Sequence, residues 1–159
     1  MRLYLLRHAP AVSRDAWDGP DELRPLSADG EALARAVAVR LDGLRLCIDV
    51  AVTSPHERAS RTAVLVCEAL GGTVPLIEDR RLTPAWFTPA TLADMLLEHR
   101  QADAVLLVGH EPSMTEVLAY TVGGGRFNLK KGGLARVDLD PEAPRSGVLK
   151  LLATPGLLR

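Results

Sequence analysis

The chain carries RLYLLRHAP at residues 2–10, and this stretch decides how the rest of the fold is interpreted. Leu3 to Leu6 form a short apolar run, which is typical of a strand buried on both faces. Arg7 and His8 follow it directly, and Pro10 ends strand pairing because it has no backbone N–H. A guanidinium and an imidazole therefore stand at the carboxyl end of a buried strand, where open α/β sheets place their ligand sites. Taken alone, the stretch is more simply an ordinary strand with a charged end.

The composition is that of an ordinary soluble globular protein. The 159 residues are 47% hydrophobic and 25% charged, and we expect a single domain over residues 1–159. The net charge of −1 provides no basic field for nucleic acid or an anionic membrane, so an anion site must be a local cluster of Arg. Cys47 and Cys67 lie in apolar contexts that favour buried, inert thiols. Without a secretory pattern or a membrane-length apolar run, the chain is expected to be cytoplasmic.

Strand and helix periodicities alternate along the chain. Strands are predicted at Leu3–Leu6, Ile48–Val52, Val74–Ile77, Ala104–Val108, Leu134–Leu139 and Val148–Leu152, and helices at Ser27–Gly43, Glu57–Leu70, Pro89–Arg100 and Ser113–Thr121. Residues 12–24 are polar and without periodicity, which indicates a loop. The alternation predicts an α/β fold, a three-layer α/β/α sandwich around a mostly parallel central sheet. The last two strands are expected to form an antiparallel pair at one edge.

Three of the predicted buried strands end in polar residues. The polar ends are Arg7-His8, Ser54-Pro55-His56-Glu57-Arg58 and Gly109-His110-Glu111-Pro112. Because the carboxyl ends of parallel strands meet at one edge, the imidazoles of His8 and His110 and the guanidiniums of Arg7 and Arg58 should converge. Clustered cations are costly unless an anion joins them, and phosphate fits because Arg binds its oxygens in a bidentate manner. A neutral imidazole can then attack phosphorus in line while the cations neutralise the other oxygens.

The polar ends also carry sequence motifs. The motifs are Leu5-Leu6-Arg7-His8, Ser54-Pro55-x-x-Arg58-Ala59-x-x-Thr62-Ala63 and Val108-Gly109-His110-Glu111-Pro112. Together they resemble the three motifs of the histidine phosphatase superfamily. The short chain, Arg24-Pro25-Leu26-Ser27-x-x-Gly30 and Leu82-Thr83-Pro84 are similar to the small SixA-type phosphohistidine phosphatase branch of that superfamily. The ordered set covers most of the chain, and the resemblance implies a phosphoglycerate mutase-like fold.

The resemblance also implies roles for the main residues of the site. His8 would be the nucleophile that becomes phosphorylated, and His110 would contact the transferring group from the other side. Arg7 and Arg58 would bind the phosphoryl oxygens. Ala9 replaces the glycine that usually follows the histidine in this motif, which adds a methyl group and restricts positive φ next to the nucleophile. We expect the change to be tolerated.

The proton donor is less clearly marked in the sequence. By the same resemblance, Arg24 matches a further phosphate-facing position, and Asp21 stands where the SixA-type branch carries a candidate proton donor. Glu111 is the second candidate because it directly follows His110. The other acids of the same loop are Asp15, Asp18 and Glu22. A phosphohistidine imidazole is a better leaving group than an alkoxide, so it needs less help from an acid.

The remaining polar residues are given structural interpretations. His56 occupies a variable position of its motif, and His99 is expected on the surface at a helix C-terminus. No Gly-x-Ser-x-Gly motif occurs, so Ser54 and Ser113 are not hydrolase nucleophiles. Residue 114 is Met, so the sequence after His110 does not match a zinc-binding HExxH motif.

The sequence therefore predicts a phosphatase that needs neither a metal ion nor a cofactor and that works through a phospho-His8 intermediate. The segments 84–89 and 21–24 are too short for a large lid. An open site favours a protein-borne phosphohistidine as the substrate, although a shallow site would also admit small phosphomonoesters. A mutase is disfavoured because it must retain its intermediate behind a closed site. The alternative of a different class is a non-catalytic phosphoprotein-binding module, which would not require the nucleophile His8.

Overall fold

The computed structural model describes residues 1–158, and within them a six-stranded sheet is flanked by helices on both faces. The strands are β1 (Arg2–Arg7), β2 (Val50–Thr53), β3 (Leu76–Glu78), β4 (Ala104–Gly109), β5 (Leu134–Asp140) and β6 (Ala143–Ala153). The helices are α1 (Ala28–Gly43), α2 (Glu57–Ala69), α3 (Pro89–Glu98), α4 (Ser113–Thr121) and α5 (Pro155–Leu158). This is the three-layer α/β/α arrangement that the sequence predicts.

The sheet order places the first strand in the interior of the sheet. The order is β3-β2-β4-β1-β5-β6, so β1 lies between β4 and β5. Strands β1 to β4 are parallel, whereas β5 and β6 form the predicted antiparallel edge. The register pairs Arg7 of β1 with Gly109 of β4. The next residues of the two strands, His8 and His110, are therefore neighbours at the carboxyl edge.

Alternate residues of β1 enter two separate cores. Leu3 and Leu5 pack with the inward faces of α3 and α4, whereas Tyr4 and Leu6 pack with those of α1 and α2. All of these side chains are buried. Full burial of a large apolar side chain contributes about 1.5–3 kcal/mol. Because β1 is held from both faces and by both neighbouring strands, its carboxyl end is a firm support for Arg7.

Helix α1 begins against the segment that follows His8. The side chain of Ser27 accepts a hydrogen bond from the backbone N–H of Gly30 at 3.1 Å, which confirms Ser27 as the N-cap. The backbone N–H of Ser27 donates to the carbonyl of Pro10 at 3.1 Å. A Cβ on Gly30 would lie 1.7 Å from that carbonyl oxygen, so a residue larger than glycine does not fit here. The first turn of α1 therefore fixes the position of Pro10.

The predicted loop before α1 contains two short turns. They are 3₁₀ turns at Arg14–Ala16 and Asp21–Leu23. A bridge between Ala11 and Leu26 closes the base of the loop. The loop is therefore short and folded back on itself, which brings its second turn to the carboxyl edge of the sheet.

Two sequence-based predictions of burial are wrong. Cys47 is exposed, because α1 ends at Gly43 and the connection to β2 is irregular up to Asp49. The helical spacing of the sequence predicts Leu92, Leu96 and Leu97 on the inward face of α3, but Leu97 is 41% exposed, because Met95 fills that face instead. The strands β2 and β3 each begin two residues later than predicted. No helix among residues 1–158 combines the length and the apolar character needed to cross a membrane.

Candidate active site

The carboxyl edge of the sheet brings two imidazoles and two guanidiniums together. The ring centroids of His8 and His110, at the ends of β1 and β4, are 5.0 Å apart, and the rings are tilted by 55°. Arg58 lies in the first turn of α2, which follows β2. The charges of Arg58 and Arg7 both act on the His8 ring. His8, Arg58 and His110 are 7%, 4% and 2% exposed, so the cluster is largely removed from water.

The backbone holds His8 in one tautomer. Nδ1 of His8 lies 2.7 Å from the carbonyl oxygen of Ala9, and because a carbonyl only accepts hydrogen bonds, Nδ1 carries the proton. Nε2 of the neutral ring then has a free lone pair. Burial, together with the charges of Arg58 and Arg7, lowers the pKa of His8 to about 3, although the bond to Ala9 acts in the opposite direction. At neutral pH His8 is therefore uncharged and nucleophilic at Nε2.

Alanine at position 9 fits this geometry. Ala9 is fully buried, and its backbone N–H donates to Oγ1 of Thr62 at 3.2 Å. Among residues 1–158, the non-glycine residues with positive φ are Arg45 and Ala85. The backbone at Ala9 therefore does not need the conformational freedom of glycine, and its methyl group does not disturb the hydrogen bond to His8.

His110 contacts the histidine that precedes α2. The ring centroids of His56 and His110 are 5.0 Å apart, with an edge-to-face angle of 63°. Nε2 of His110 lies 2.9 Å from Oγ of Ser54. Burial, followed by the charges of His8 and Arg58, lowers the pKa of His110 to about 2. His110 is therefore also uncharged at neutral pH.

The two guanidiniums are anchored through their Nη atoms. Nη1 of Arg7 donates to the carbonyl of Leu129 at 2.9 Å. Nη1 of Arg58 donates to the backbone carbonyl of Asp21 at 2.7 Å, and Nη2 donates to the Asp21 carboxylate at 2.9 Å. These anchors fix the planes of both groups, and the Nε atoms take no part in them.

Four buried side-chain nitrogens have no hydrogen-bond partner in the described part of the chain, and all of them belong to this site. They are Nε of Arg7, Nδ1 of His56, Nε of Arg58 and Nδ1 of His110. A buried polar group without a partner costs about 1–3 kcal/mol. Guanidinium N–H groups are obligatory donors, and oxygens of an anion satisfy them best. The arrangement can therefore bind a phosphoryl group beside Nε2 of His8.

Asp21 reaches the same site as an ionised carboxylate. One of its oxygens accepts from Nη2 of Arg58 and the other accepts from Nε of Arg24, both at 2.9 Å. Arg24 is held in turn by the carbonyl of Val12. Partial burial acts in the opposite direction, but the hydrogen bond from Arg24 and the charge of Arg58 together lower the pKa of Asp21. The expected role of Asp21 as proton donor stays a prediction, and it requires these ion pairs to open.

The other candidate acids are bonded to other groups or exposed. The carboxylate of Glu111 accepts from Oγ1 of Thr115 at 2.6 Å and from its backbone N–H at 3.3 Å, in the first turn of α4. Asp15, Asp18 and Glu22 are exposed. Over residues 1–158, no group of three or more His, Cys, Asp or Glu side chains is arranged to hold a metal ion.

His56 and Ser54 lie in the site although sequence reasoning did not assign them to it. The backbone N–H of His56 donates to Oγ of Ser54 at 3.2 Å, so the two residues form one turn between β2 and α2. The sequence does contain a signal for them, since both residues stand in the polar segment that follows a buried strand. His99, by contrast, caps the C-terminus of α3, as expected.

A wide groove adjoins the site on the side of Asp21 and His56. It has a volume of about 840 Å³, and its lining includes Asp21, Leu23, Pro55, His56, Pro84 and Trp86. The side chains of Trp86 and Leu23 are 70% and 59% exposed. The residue before Trp86, Ala85, has a φ of 69°, a conformation that non-glycine residues adopt at an energetic cost. Exposed apolar side chains beside a polar cleft are typical of a recognition surface.

Comparisons with known sequences identify the family. The model of the histidine phosphatase superfamily (branch 1) matches residues 3–85. An uncharacterized protein of Picosynechococcus sp. is 36% identical over 138 residues, which cover 84% of this chain and 82% of that protein. The chain belongs to the histidine phosphatase superfamily.

Solved structures share the whole fold. The protein histidine phosphatase SixA, complexed with tungstate, superposes with a TM-score of 0.88 and 25% identity over 100% of both chains. The alpha-ribazole phosphatase from Shigella flexneri superposes with a TM-score of 0.78 and 19% identity, over 98% of this chain and 97% of that one. These likenesses confirm the phosphoglycerate mutase-like fold. The enzymes of the superfamily are phosphatases, and this protein is a hydrolase of that class.

Proposed function

We propose that the protein hydrolyses a phosphorylated substrate through a covalent intermediate on Nε2 of His8. The observation that carries the proposal is the set of four buried nitrogens without partners, on Arg7, His56, Arg58 and His110. The charges of Arg58 and Arg7 act on the neutral imidazole of His8, and the ring of His110 lies 5.0 Å from it. A phosphoryl group supplies both the oxygens that the donors need and the electrophile that the nucleophile needs.

In the first step, Nε2 of His8 attacks phosphorus and the bond to the leaving group breaks. Arg7, Arg58 and His110 contact the three non-bridging oxygens and stabilise their charge in the transition state. The leaving group departs with the bonding electron pair on the side opposite His8. Because the donors are fixed by β1, α2 and β4, they need no reorganisation during the step.

In the second step, water attacks phosphorus from the side that the leaving group has vacated. The P–O bond forms, the P–N bond to His8 breaks, and the proton of the water passes to the phosphate product or to solvent. The environment that lowers the pKa of His8 to about 3 also makes its imidazole a good leaving group. The resting neutral ring is regenerated.

The state of the acids supports an N–P bond in the substrate. Asp21 is ionised and paired with Arg58 and Arg24, and Glu111 is bonded to Thr115. An alkoxide leaving group needs a proton from such an acid, whereas a phosphohistidine imidazole whose other nitrogen carries a proton leaves as a neutral ring and needs less help. The site is therefore better matched to phosphohistidine than to an alkyl phosphate ester.

The groove supports a protein as the carrier of that phosphohistidine. Trp86 and Leu23 present apolar surface beside the reacting centre, and an exposed indole is typical of an anchor in protein recognition. The likeness to the protein histidine phosphatase SixA, at 25% identity, supports the same substrate class. The proposed substrate is accordingly a phosphohistidine on a partner protein, with Arg24 and Asp21 at the entrance of the site.

Phosphoryl transfer to the enzyme provides the first test. Incubation with phosphoramidate followed by a rapid quench should give acid-labile, alkali-stable phosphate on the wild-type chain. His8→Ala should give none, whereas the control His99→Ala, at the end of α3, should be labelled like wild type. The catalytic proposal is wrong if wild type shows no label or if His8→Ala is labelled equally well.

The substrate class needs a separate comparison. We expect kcat/KM to be higher on a phosphohistidine protein than on small phosphomonoesters. Trp86→Ala should lower kcat/KM on the phosphoprotein by about tenfold, as removal of one anchor residue does, and should leave the reaction with phosphoramidate unchanged. Val39→Ala, which removes an equally exposed side chain from α1, should affect neither reaction. A clear preference for small esters would make the protein a phosphomonoesterase instead.

A further inference from the structure

The hydroxyl of Ser54 has two hydrogen-bond neighbours, and both are fixed. Ser54 follows β2 directly and is 0% exposed. Its Oγ accepts from the backbone N–H of His56 at 3.2 Å. The same oxygen lies 2.9 Å from Nε2 of His110. A backbone N–H can only donate, so Oγ of Ser54 is the acceptor in the first bond. The O–H of Ser54 still needs an acceptor of its own.

The two tautomers of His110 differ in how well they satisfy this hydroxyl. If Nε2 carried the proton, Oγ of Ser54 would accept two hydrogen bonds and its own buried O–H would have no acceptor. If Nε2 is unprotonated, the Ser54 O–H donates to it, and the backbone N–H of His56, the Ser54 hydroxyl and Nε2 of His110 are all satisfied. A buried hydroxyl without an acceptor is unfavourable, so the second arrangement is the stable one.

We infer that Ser54 is a positioning residue that fixes His110 as the Nδ1–H tautomer, so that Nδ1 presents a proton donor to the phosphoryl group. The inference rests on the proposed function of the site. It explains why Nδ1 of His110 is buried without a partner, since a phosphoryl oxygen accepts the bond that Nδ1–H offers. In the other tautomer, the lone pair of Nδ1 would face those oxygens and repel them.

The position of this one proton matters because His110 is uncharged. Burial and the charges of neighbouring groups keep the pKa of His110 near 2, so the ring carries one proton at neutral pH and only one of its nitrogens can donate. A charged imidazole would donate from both nitrogens and would not need Ser54. The groups that set this condition are His8, Arg58 and His56, with Asp21 acting in the opposite direction.

Nuclear magnetic resonance can read the tautomer directly in the resting enzyme. With ¹⁵N-labelled histidine, two-bond ¹H–¹⁵N correlations at pH 7 distinguish a protonated Nδ1 from a protonated Nε2. The His110 signals are identified as those missing from His110→Gln. We expect the Nδ1–H pattern for His110, and an Nε2–H pattern in wild type would overturn the inference.

A pair of serine variants separates positioning from general packing. Ser54→Ala should shift His110 towards the Nε2–H pattern and lower kcat with phosphoramidate by about 10- to 100-fold, as loss of one aligned donor does. Ser54→Thr keeps the hydroxyl and should restore the Nδ1–H pattern. Ser113→Ala is the matched control, because its buried hydroxyl bonds the backbone carbonyl of His110 and not the ring. An unchanged tautomer and kcat in Ser54→Ala would refute the role.

The tautomer of His110 and the labelling of His8 can be measured independently, so each can fail without the other. An Nε2–H pattern together with phosphate on His8 would overturn the role of Ser54 and leave the proposed function intact. An Nδ1–H pattern without any label on His8 would overturn the catalytic proposal and keep Ser54 as the residue that orients a phosphate donor.

Discussion

The ends of β1 and β4 carry the same residue type under different constraints. At the end of β1, Nδ1 of His8 is bonded to the carbonyl of Ala9, which leaves Nε2 free. At the end of β4, Nε2 of His110 is bonded to Ser54, which leaves Nδ1 free. Both rings are neutral and carry one proton each. The hydrogen bond that each ring makes within the protein therefore decides whether its other nitrogen donates or accepts. In the proposed reaction, one imidazole therefore offers a lone pair to phosphorus and the other offers a donor to a phosphoryl oxygen.

The two strand ends also differ in how they are supported. The support of His8 is local in the chain, because its partner is the next residue and α1 holds the following Pro10 through Gly30. The support of His110 comes from β2 and from the turn that leads into α2. Changes in α1 should therefore affect His8 first, and changes after β2 should affect His110 first.

The largest expected effect comes from removing each imidazole in turn. His8→Ala should abolish the phosphoenzyme and lower kcat by at least about 10³-fold, since the nucleophile is lost. His110→Ala should lower kcat by about 10²- to 10³-fold but should still allow labelling of His8. Rapid-quench labelling and steady-state kinetics measure both effects. Equal labelling defects in the two variants would remove the distinction between the two strand ends.

A substitution in α1 tests the support of His8. In Gly30→Ala the new Cβ would lie 1.7 Å from the carbonyl oxygen of Pro10, so α1 or the segment after His8 must move. We expect the free energy of unfolding to fall by about 3 kcal/mol, at the upper end for overpacking, and kcat to fall with it. Urea denaturation gives the first quantity.

The control for this experiment is at the other end of the same helix. Gly43 has open space around its Cβ position, so Gly43→Ala should leave stability unchanged or raise it by up to about 1 kcal/mol. If both variants lose the same stability, the close contact between Gly30 and Pro10 is not what holds the His8 segment.

The pH dependence of stability tests whether both rings are neutral. The pKa of His8 is lowered to about 3 and that of His110 to about 2, from an ordinary value of 6.5. Below pH 6.5 the unfolded chain therefore binds more protons than the folded chain, and stability falls as the pH falls. Each ring contributes at most about 1.4 kcal/mol per pH unit over this range. His8→Gln should reduce the slope of the unfolding free energy between pH 6 and 4, and identical slopes would contradict the lowered pKa of His8.

The smallest effect is expected for Asp21→Asn, at the entrance of the site. The substitution removes a negative charge that lies beside the anion site and leaves a similar shape. We expect inorganic phosphate to inhibit about three- to tenfold more tightly, while kcat with a phosphohistidine protein stays within about twofold, since one charge pair at a half-exposed site has a modest effect. A large loss of kcat, restricted to phosphomonoesters with poor leaving groups, would instead support Asp21 as the proton donor.

The sequence predicted the sheet and the main cluster because these depend on local patterns. Leu3–Leu6 and Ala104–Val108 are continuous apolar runs, which only a doubly covered strand can bury. Parallel pairing of these strands then requires the residues that follow, His8 and His110, to meet. The cluster was therefore predictable from strand ends without knowledge of the loops.

The missed features depend on contacts between distant segments. The place of His56 beside His110 depends on the turn between β2 and α2, and the pairing of Asp21 with Arg58 depends on the path of the loop before α1. The exposure of Cys47 and Leu97 has a more local cause, since α1 ends before Cys47 and Met95 of the same helix takes the inward position. Periodicity shows which residues can be buried, but the packing of other elements decides which of them are.

The pair between Arg58 and Asp21 has a consequence for turnover. The resting enzyme supplies its own anion to Arg58, with Nη2 of Arg58 and the carboxylate of Asp21 2.9 Å apart. Because this carboxylate is tethered, its effective concentration exceeds that of free anions in solution. Monoanions such as chloride or acetate are therefore expected to compete poorly for the Nη atoms, whereas a phosphoryl group can bind at the free Nε atoms of Arg58 and Arg7. In the proposed reaction, the negative charge of Asp21 would also repel the inorganic phosphate that hydrolysis leaves beside Arg58, which would favour its release.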